Sequence, residues 1–295
     1  MEKDSRRARV CSAVKQLLAV LTVFIPVPGV QAAPAQFSSV VFWYADKPPL
    51  AKLAQFDWAV VEPGHLSVAD VKALRVRGGL PFAYLSVGEF HGGQPELDAA
   101  ALSGAVSSRR NNAWNSQVMN LASPAWREHL FGRAAALRAQ GYAGLFLDTL
   151  DSFQLLPEAE REAQRLALVS LLRELHQRQP QLKLFFNRGF EVLRDLQGVA
   201  AAVAVESIHA GWDAANQRFR PVPEADRQWL ETQLQPLRAQ DIPLVAIDYL
   251  PAERHEEARL LVKRLRAEGF VPYIAPPDLG SMGVGSIEVT HEAGQ

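Results

Sequence analysis

Acidic side chains recur in this sequence directly after short apolar runs. Tyr44-Ala45-Asp46 follows one run, Glu62-Pro63-Gly64-His65 a second and Ser86-Val87-Gly88-Glu89 a third. Asp148-Thr149-Leu150-Asp151, Asn187-Arg188-Gly189, Glu206-Ser207 and Asp248-Tyr249 follow later ones. Polar loops account for one or two such residues, and Arg188 could pair with some of them. Carboxylates gathered at one place repel each other and resist ionisation, so the whole set calls for a use. Three chemistries fit. Glycoside hydrolysis needs one carboxylate as nucleophile or base and another as acid. Metal-assisted hydrolysis and ligand binding without catalysis are the other two.

The remaining motifs narrow this choice. There is no His-Glu-x-x-His and no His-x-His after the first apolar run, so a metal site is the weaker reading and none is assigned. No Gly-x-Ser-x-Gly elbow supports serine catalysis, and no Gly-x-Gly-x-x-Gly turn follows the first run, so no cofactor is expected. Aromatic residues sit among the acids. Tyr44 and Tyr84 lie on the apolar runs and Tyr249 just after one, whereas Trp114 and Trp212 lie in polar loops. Flat rings with polar tips suit an amphipathic ligand such as a sugar.

These residues share a site only if the elements beneath them bring them to one face. The apolar runs are Val40–Tyr44, Trp58–Val61, Pro81–Val87, Gly144–Leu147, Leu184–Phe186, Ala201–Val205, Leu244–Ile247 and Val271–Ile274. Their length and composition predict strands buried on both faces. Helical patterns lie between them: Val68–Val76, Ser123–Gln140, Pro157–Gln179, Pro223–Ala239 and Glu253–Glu268. Ser123-Pro124 reads as a helix start, and Gly141 and Gly269 as left-handed stops. Eight strands alternating mainly with helices predict a single-domain (β/α)8 TIM barrel, whose rim at the strand ends carries the active site. The runner-up is an open doubly wound sheet. Two connections deviate. Leu50–Asp57 is short for a helix, and Phe90–Ser123 is long and polar with an extra strand expected at Gln117–Leu121.

The charge balance, 31 basic against 32 acidic residues in 295, gives no general drive toward nucleic acid. That balance hides a division. Lys3, Arg6, Arg7, Arg9 and Lys15 precede the apolar run Leu17–Val30, and Val30-Gln31-Ala32 has the small-residue pattern of signal peptidase. The expectation is a signal peptide over residues 1–32, a hydrolase domain over 33–279 and a polar, frayed tail over 280–295. Removing the leader takes away five basic and two acidic residues and Cys11, leaving 26 against 30 and no thiol. A thiol-free chain suits the periplasm or the exterior. No later run is long enough to span a membrane.

At this point the wording of the motifs becomes familiar. Phe42-Trp43-Tyr44 with Asp46, Val60-Val61-Glu62-Pro63, Ala83 through Glu89, Gly144 through Asp151, and Val205-Glu206-Ser207 together resemble the endo-α-1,4-polygalactosaminidase group. This group comprises glycoside hydrolase family 114 and the related family 166, and the likeness covers roughly residues 38–277. The resemblance implies a TIM barrel that cleaves α-1,4-linked galactosamine or N-acetylgalactosamine exopolysaccharide from within the chain, probing an amino-sugar polysaccharide as its partner. It implies Asp148 as nucleophile and Glu206 as general acid/base in a retaining mechanism. Exopolysaccharide assembly proteins would then be partners, and no nucleic acid or membrane is expected after leader removal. Tyr44, Asp46, Glu62, His65, Tyr84, Glu89, Trp114, Asp151, Asn187, Trp212, Asp248 and Tyr249 are the expected substrate contacts. Related Pel-type proteins continue into a deacetylase, so a chain ending at Gln295 reads as a stand-alone hydrolase. A noncatalytic polysaccharide-binding module is the alternative from another class.

Overall fold

The computed structural model describes residues 37–285 and 287. The expected leader over residues 1–32 lies outside the described residues. Eight parallel strands run β1 (Val40–Trp43), β2 (Trp58–Val61), β3 (Leu80–Ser86), β4 (Gly144–Asp148), β5 (Lys183–Asn187), β6 (Ala200–Glu206), β7 (Leu244–Tyr249) and β8 (Val271–Ala275). Each pairs with the next in chain order. The seam between β8 and β1 is bridged by the Tyr273 hydroxyl, which donates to the Phe42 carbonyl at 3.1 Å. Val284–Gly285, here β9, pairs antiparallel with Tyr273 and Ile274 beside this seam. The expectation of a fraying tail from Gly280 therefore fails at its start. Gly283 N donates to the Tyr273 hydroxyl at 3.0 Å, and Tyr44 N donates to the Leu279 carbonyl at 3.0 Å.

The barrel interior is a stack of rings. Phe146 meets Phe185 edge-on at 4.9 Å and Phe42 at 5.3 Å, and Trp58 stacks on Phe82 at 4.3 Å. Each of these phenylalanines is almost fully buried, which contributes roughly 2–3 kcal/mol per ring. Side chains alternate across a strand, so the residue two places after an inward ring also points inward. This parity sets Tyr44 above Phe42, Tyr84 above Phe82, Asp148 above Phe146 and Asn187 above Phe185. The packed floor and the polar rim are thus continuous columns of the same strands.

Helices cover the outside: α1 (Leu50–Leu53), α2 (Val68–Val76), α3 (Gln94–Ala99), α4 (Pro124–Gln140), α5 (Glu158–Arg178), α6 (Phe190–Leu193), α7 (Glu224–Arg238) and α8 (His255–Ala267). Ser67 and Asp70 form a reciprocal cap on α2. Gly141, at φ 102°, ends α4. Leu168, Leu171, Leu172 and Leu175 form a buried stripe on α5. No helix among the described residues is long and apolar enough to cross a membrane.

Two connections depart from the simple repeat in ways that matter for the site. The long third connection builds a three-stranded antiparallel sheet from Glu89–Phe90, Val106–Asn111 and Ser116–Met119, with the last in the middle. The expected strand at Gln117–Leu121 is therefore real but starts one residue earlier and has two partners. The connection after β6 carries a hairpin, Ala210–Asp213 against Arg218–Pro221, before α7. The fifth connection, in addition, holds only the single turn α6.

Candidate active site

A cleft of about 580 Å³ opens at the carboxyl-terminal ends of the strands, where barrel enzymes place their chemistry. At its floor Asp148 and Glu206 are tied together. The Asn187 side-chain nitrogen donates to Asp148 Oδ1 at 2.8 Å and to Glu206 Oε1 at 2.7 Å. Hung on one nitrogen, the two oxygens lie no more than 5.5 Å apart. Each carboxylate has a second donor. Tyr84 OH donates to Asp148 Oδ2 at 2.7 Å, and Tyr249 OH donates to Glu206 Oε2 at 2.6 Å. Asn187 is about nine-tenths buried, and its Oδ1 has no protein partner.

The chain turns sharply after each of the three. Thr149, Arg188 and Ser207 have φ of 61°, 54° and 62°. For a β-branched threonine this left-handed geometry costs about 1–2 kcal/mol. It is offset by the Thr149 hydroxyl, which accepts from Val87 N at 3.1 Å and Gly88 N at 2.8 Å. Gly88 is required there, because a Cβ would lie 2.3 Å from the Thr149 carbonyl oxygen.

Burial pushes the Glu206 carboxyl above the usual carboxylate range, and the charge of Asp148 adds to this. The bonds from Tyr249 and Asn187 oppose the shift. Burial and the neighbouring carboxylates raise the hydroxyls of Tyr44, Tyr84 and Tyr249, so all three remain protonated donors. Burial also raises Asp151, against the pull of Arg188. One carboxyl disposed to hold a proton beside a second, hydrogen-bonded carboxylate is the arrangement of a glycosidase.

Most of the expected substrate contacts line the cleft: Tyr44, Glu62, Tyr84, Glu89, Asp151, Asn187, Tyr249 and the two tryptophans Trp114 and Trp212. Trp114, at the tip of the third-connection sheet, is 67% exposed, and Trp212 packs edge-on against Phe219 at 4.8 Å. Glu89 is buried and already satisfied by Asn111, Ser116 and Ser152, so it ties the third-connection sheet to the turn after β4.

Three expected contacts lie elsewhere. Asp248 is fully buried and accepts from the backbone nitrogens of Ile208, His209 and Ala210 at 2.5, 2.8 and 2.9 Å. Its neighbour Tyr249 faces inward, so parity turns Asp248 outward, where it anchors the chain after Glu206. His65 Nε2 lies 3.0 Å from Asp46 Oδ1, with Asp46 largely exposed, and neither residue lines the cleft. Strand β1 ends at Trp43, so parity no longer governs Asp46.

Asn111 and Asp278 line the cleft without having been singled out. Asn111 had a legible signal: the polar Asn111-Asn112-Ala113-Trp114-Asn115 stretch is hairpin-turn composition. Asp278 had none, since its place follows from how residues 279–285 return to the seam.

The glycoside-hydrolase family GH114 matches residues 26–290 of this chain. The chain belongs to that family. The glycoside hydrolase domain of PelA from Pseudomonas aeruginosa is 62% identical, with a TM-score of 0.82 over 84% of this chain and 98% of that one. Ega3 from Aspergillus fumigatus, solved in complex with galactosamine, is 13% identical, with a TM-score of 0.61 over 88% of this chain and 99% of that one. At that identity the likeness carries the fold alone. No curated protein sequence matches the chain. The protein is thus a family 114 glycoside hydrolase on a (β/α)8 barrel, as the resemblance of its motifs implied. Among the residues lining the cleft of this hydrolase, Glu62, Glu89, Asp148, Asp151, Glu206 and Asp278 are acidic, and Arg188 is the one lysine or arginine.

Proposed function

We propose that this family 114 hydrolase cleaves α-1,4-linked galactosamine and N-acetylgalactosamine exopolysaccharide at internal bonds, with retention of configuration. The observation that carries this reading is the shared donor between Asp148 and Glu206. Retaining glycosidases hold their carboxyl groups about 5–5.5 Å apart, whereas inverting ones leave about 6.5–9.5 Å for a water. Oxygens held within 5.5 Å by Asn187 fit the first class. In this scheme Asp148 attacks the anomeric carbon while Glu206 gives its proton to the leaving oxygen. Glu206, now ionised, then takes a proton from water, which releases the sugar from Asp148. Tyr84, Tyr249 and Asn187 keep the pair aimed.

The amino-sugar assignment rests on charge and likeness. Free amino groups make a galactosamine chain cationic, and a cleft lined by six acids against one arginine attracts it. Trp114 and Trp212 flank an open cleft, which suits binding within a chain rather than at its end. The 62% identity to the glycoside hydrolase domain of PelA supports the same class. The leader-like residues 1–32 support export to the periplasm or beyond, near exopolysaccharide assembly proteins. Incubation with a galactosamine polymer, followed by mass and NMR analysis, tests the proposal. It expects a ladder of internal fragments whose first-formed ends are α. Monomer release alone, β first products or no new reducing ends would overturn it.

A further inference from the structure

A second cleft of about 340 Å³ lies beside the first. Arg188, Ser207 and Trp212 line both, so the two are neighbours across these side chains. The chemistry changes across that boundary. Beyond Trp212 the walls carry Arg188 and Arg220 against a single carboxylate, Asp226. The Arg220 side chain is exposed and has no hydrogen-bond or ion-pair partner among the described residues, and the residue stands opposite Gly211 in the hairpin register. Gly211 also lines this cleft and packs closely, since a Cβ there would lie 3.2 Å from Ser207 Oγ and 3.6 Å from a Val222 methyl. Trp229 of α7 completes the wall. It is 47% exposed, and the edge-on contact with Phe190 at 6.0 Å holds its ring in place.

We propose that this side cleft is a subsite for an N-acetylated, uncharged amino-sugar unit of the same polysaccharide chain. The inference rests on the amino-polysaccharide reading above and adds a rule for acetylation. An ammonium group beside two guanidinium groups is repelled, whereas an acetamido group carries no charge and offers a carbonyl that an unpaired arginine can donate to. A tryptophan face held by a neighbouring ring gives the sugar an apolar platform. The acidic cleft takes cationic units and the arginine-lined cleft takes a neutral one. The enzyme thus reads a pattern along the chain rather than one sugar.

The test compares a fully deacetylated galactosamine oligomer with the same oligomer partly re-acetylated on nitrogen. Arg220→Ala and Trp229→Ala are measured on both, and Trp229→Phe serves as the variant that keeps a ring. Both alanine variants are expected to raise KM about five- to tenfold on the re-acetylated oligomer, with kcat little changed. On the deacetylated oligomer they stay within about twofold of wild type, and Trp229→Phe stays near wild type on both. An unchanged KM on the re-acetylated oligomer, or equal losses on both in variants whose melting matches wild type, would overturn the subsite while leaving the hydrolase reading intact. Failure of the wild-type enzyme to cleave either oligomer overturns both.

Discussion

Asp148 and Glu206 share a hydrogen-bond donor, the side-chain nitrogen of Asn187, at 2.8 and 2.7 Å. One nitrogen thereby bounds the distance between the two bonded oxygens at 5.5 Å and takes part in deciding where the proton resides. The three residues come from β4, β5 and β6, which are adjacent strands, so the geometry follows from strand register.

Glu206→Ala and Asp148→Ala should each lower kcat by about 10³-fold or more on galactosamine polymer. Added azide distinguishes them. It restores turnover with a retained glycosyl azide when the acid/base is missing, and with an inverted one when the nucleophile is missing. NMR of the azide product assigns the roles, and retained product from Asp148→Ala would reverse them.

Tyr249→Phe and Asn187→Ala each remove a bond that holds the Glu206 carboxyl down. Its proton should then be retained to higher pH. In the proposed scheme Glu206 gives its proton in the first step, so the alkaline limb of the rate profile should move upward in pH. Asn187→Ala also frees Asp148 and should cost about 10²-fold in kcat. A profile with an unmoved alkaline limb would show that neither group tunes Glu206.

Glu206→Gln should raise the melting temperature at neutral pH. Unfolded, Glu206 ionises in the ordinary carboxylate range; folded, burial holds it higher. The folded state therefore binds this proton more tightly. The resulting stability is full in acid and is lost as pH rises through the folded-state value. Glutamine cannot ionise, so its advantage over wild type should shrink toward about pH 4. Calorimetry across this range checks the trend, which would be contradicted by a margin that grows in acid.

Asp248→Ala should act on stability. It strands three backbone N–H groups, buried at Ile208 and partly buried at His209 and Ala210, and should cost about 3 kcal/mol. Denaturant unfolding measures this. A variant of wild-type stability with altered KM would return Asp248 to the substrate site.

Gly88→Ala should both destabilise and slow the enzyme. The added methyl would lie 2.3 Å from the Thr149 carbonyl oxygen, and relieving it moves the turn that follows Asp148. Overpacking of this kind costs about 1–3 kcal/mol. Unfolding and kcat measured together should fall in parallel.

The eight parallel strands were legible because each is a short apolar run buried on both faces, and α2 matches its sequence range of Val68–Val76 because its cap is local. The column of site residues was legible for the same reason: a strand end beside an inward ring is an inward position. Asp248 marks where that reading stopped short. The pair Asp248-Tyr249 can put only one side chain in the barrel, and ranking both as contacts ignored the two-residue period. Asp46 and His65 failed for another reason, since beyond a strand end no period constrains a side chain.

By itself the sequence determined the barrel and the family, because strand periodicity and family motifs are written in neighbouring residues. Tertiary structure alone decided that Asn187 would bridge Asp148 and Glu206, that Asp278 would return to the rim and that Arg220 and Trp229 would face a common cleft. These relations join residues far apart in the chain. They depend on strand register, on the closing of the seam and on the angle at which α7 packs, and no local pattern encodes a distance.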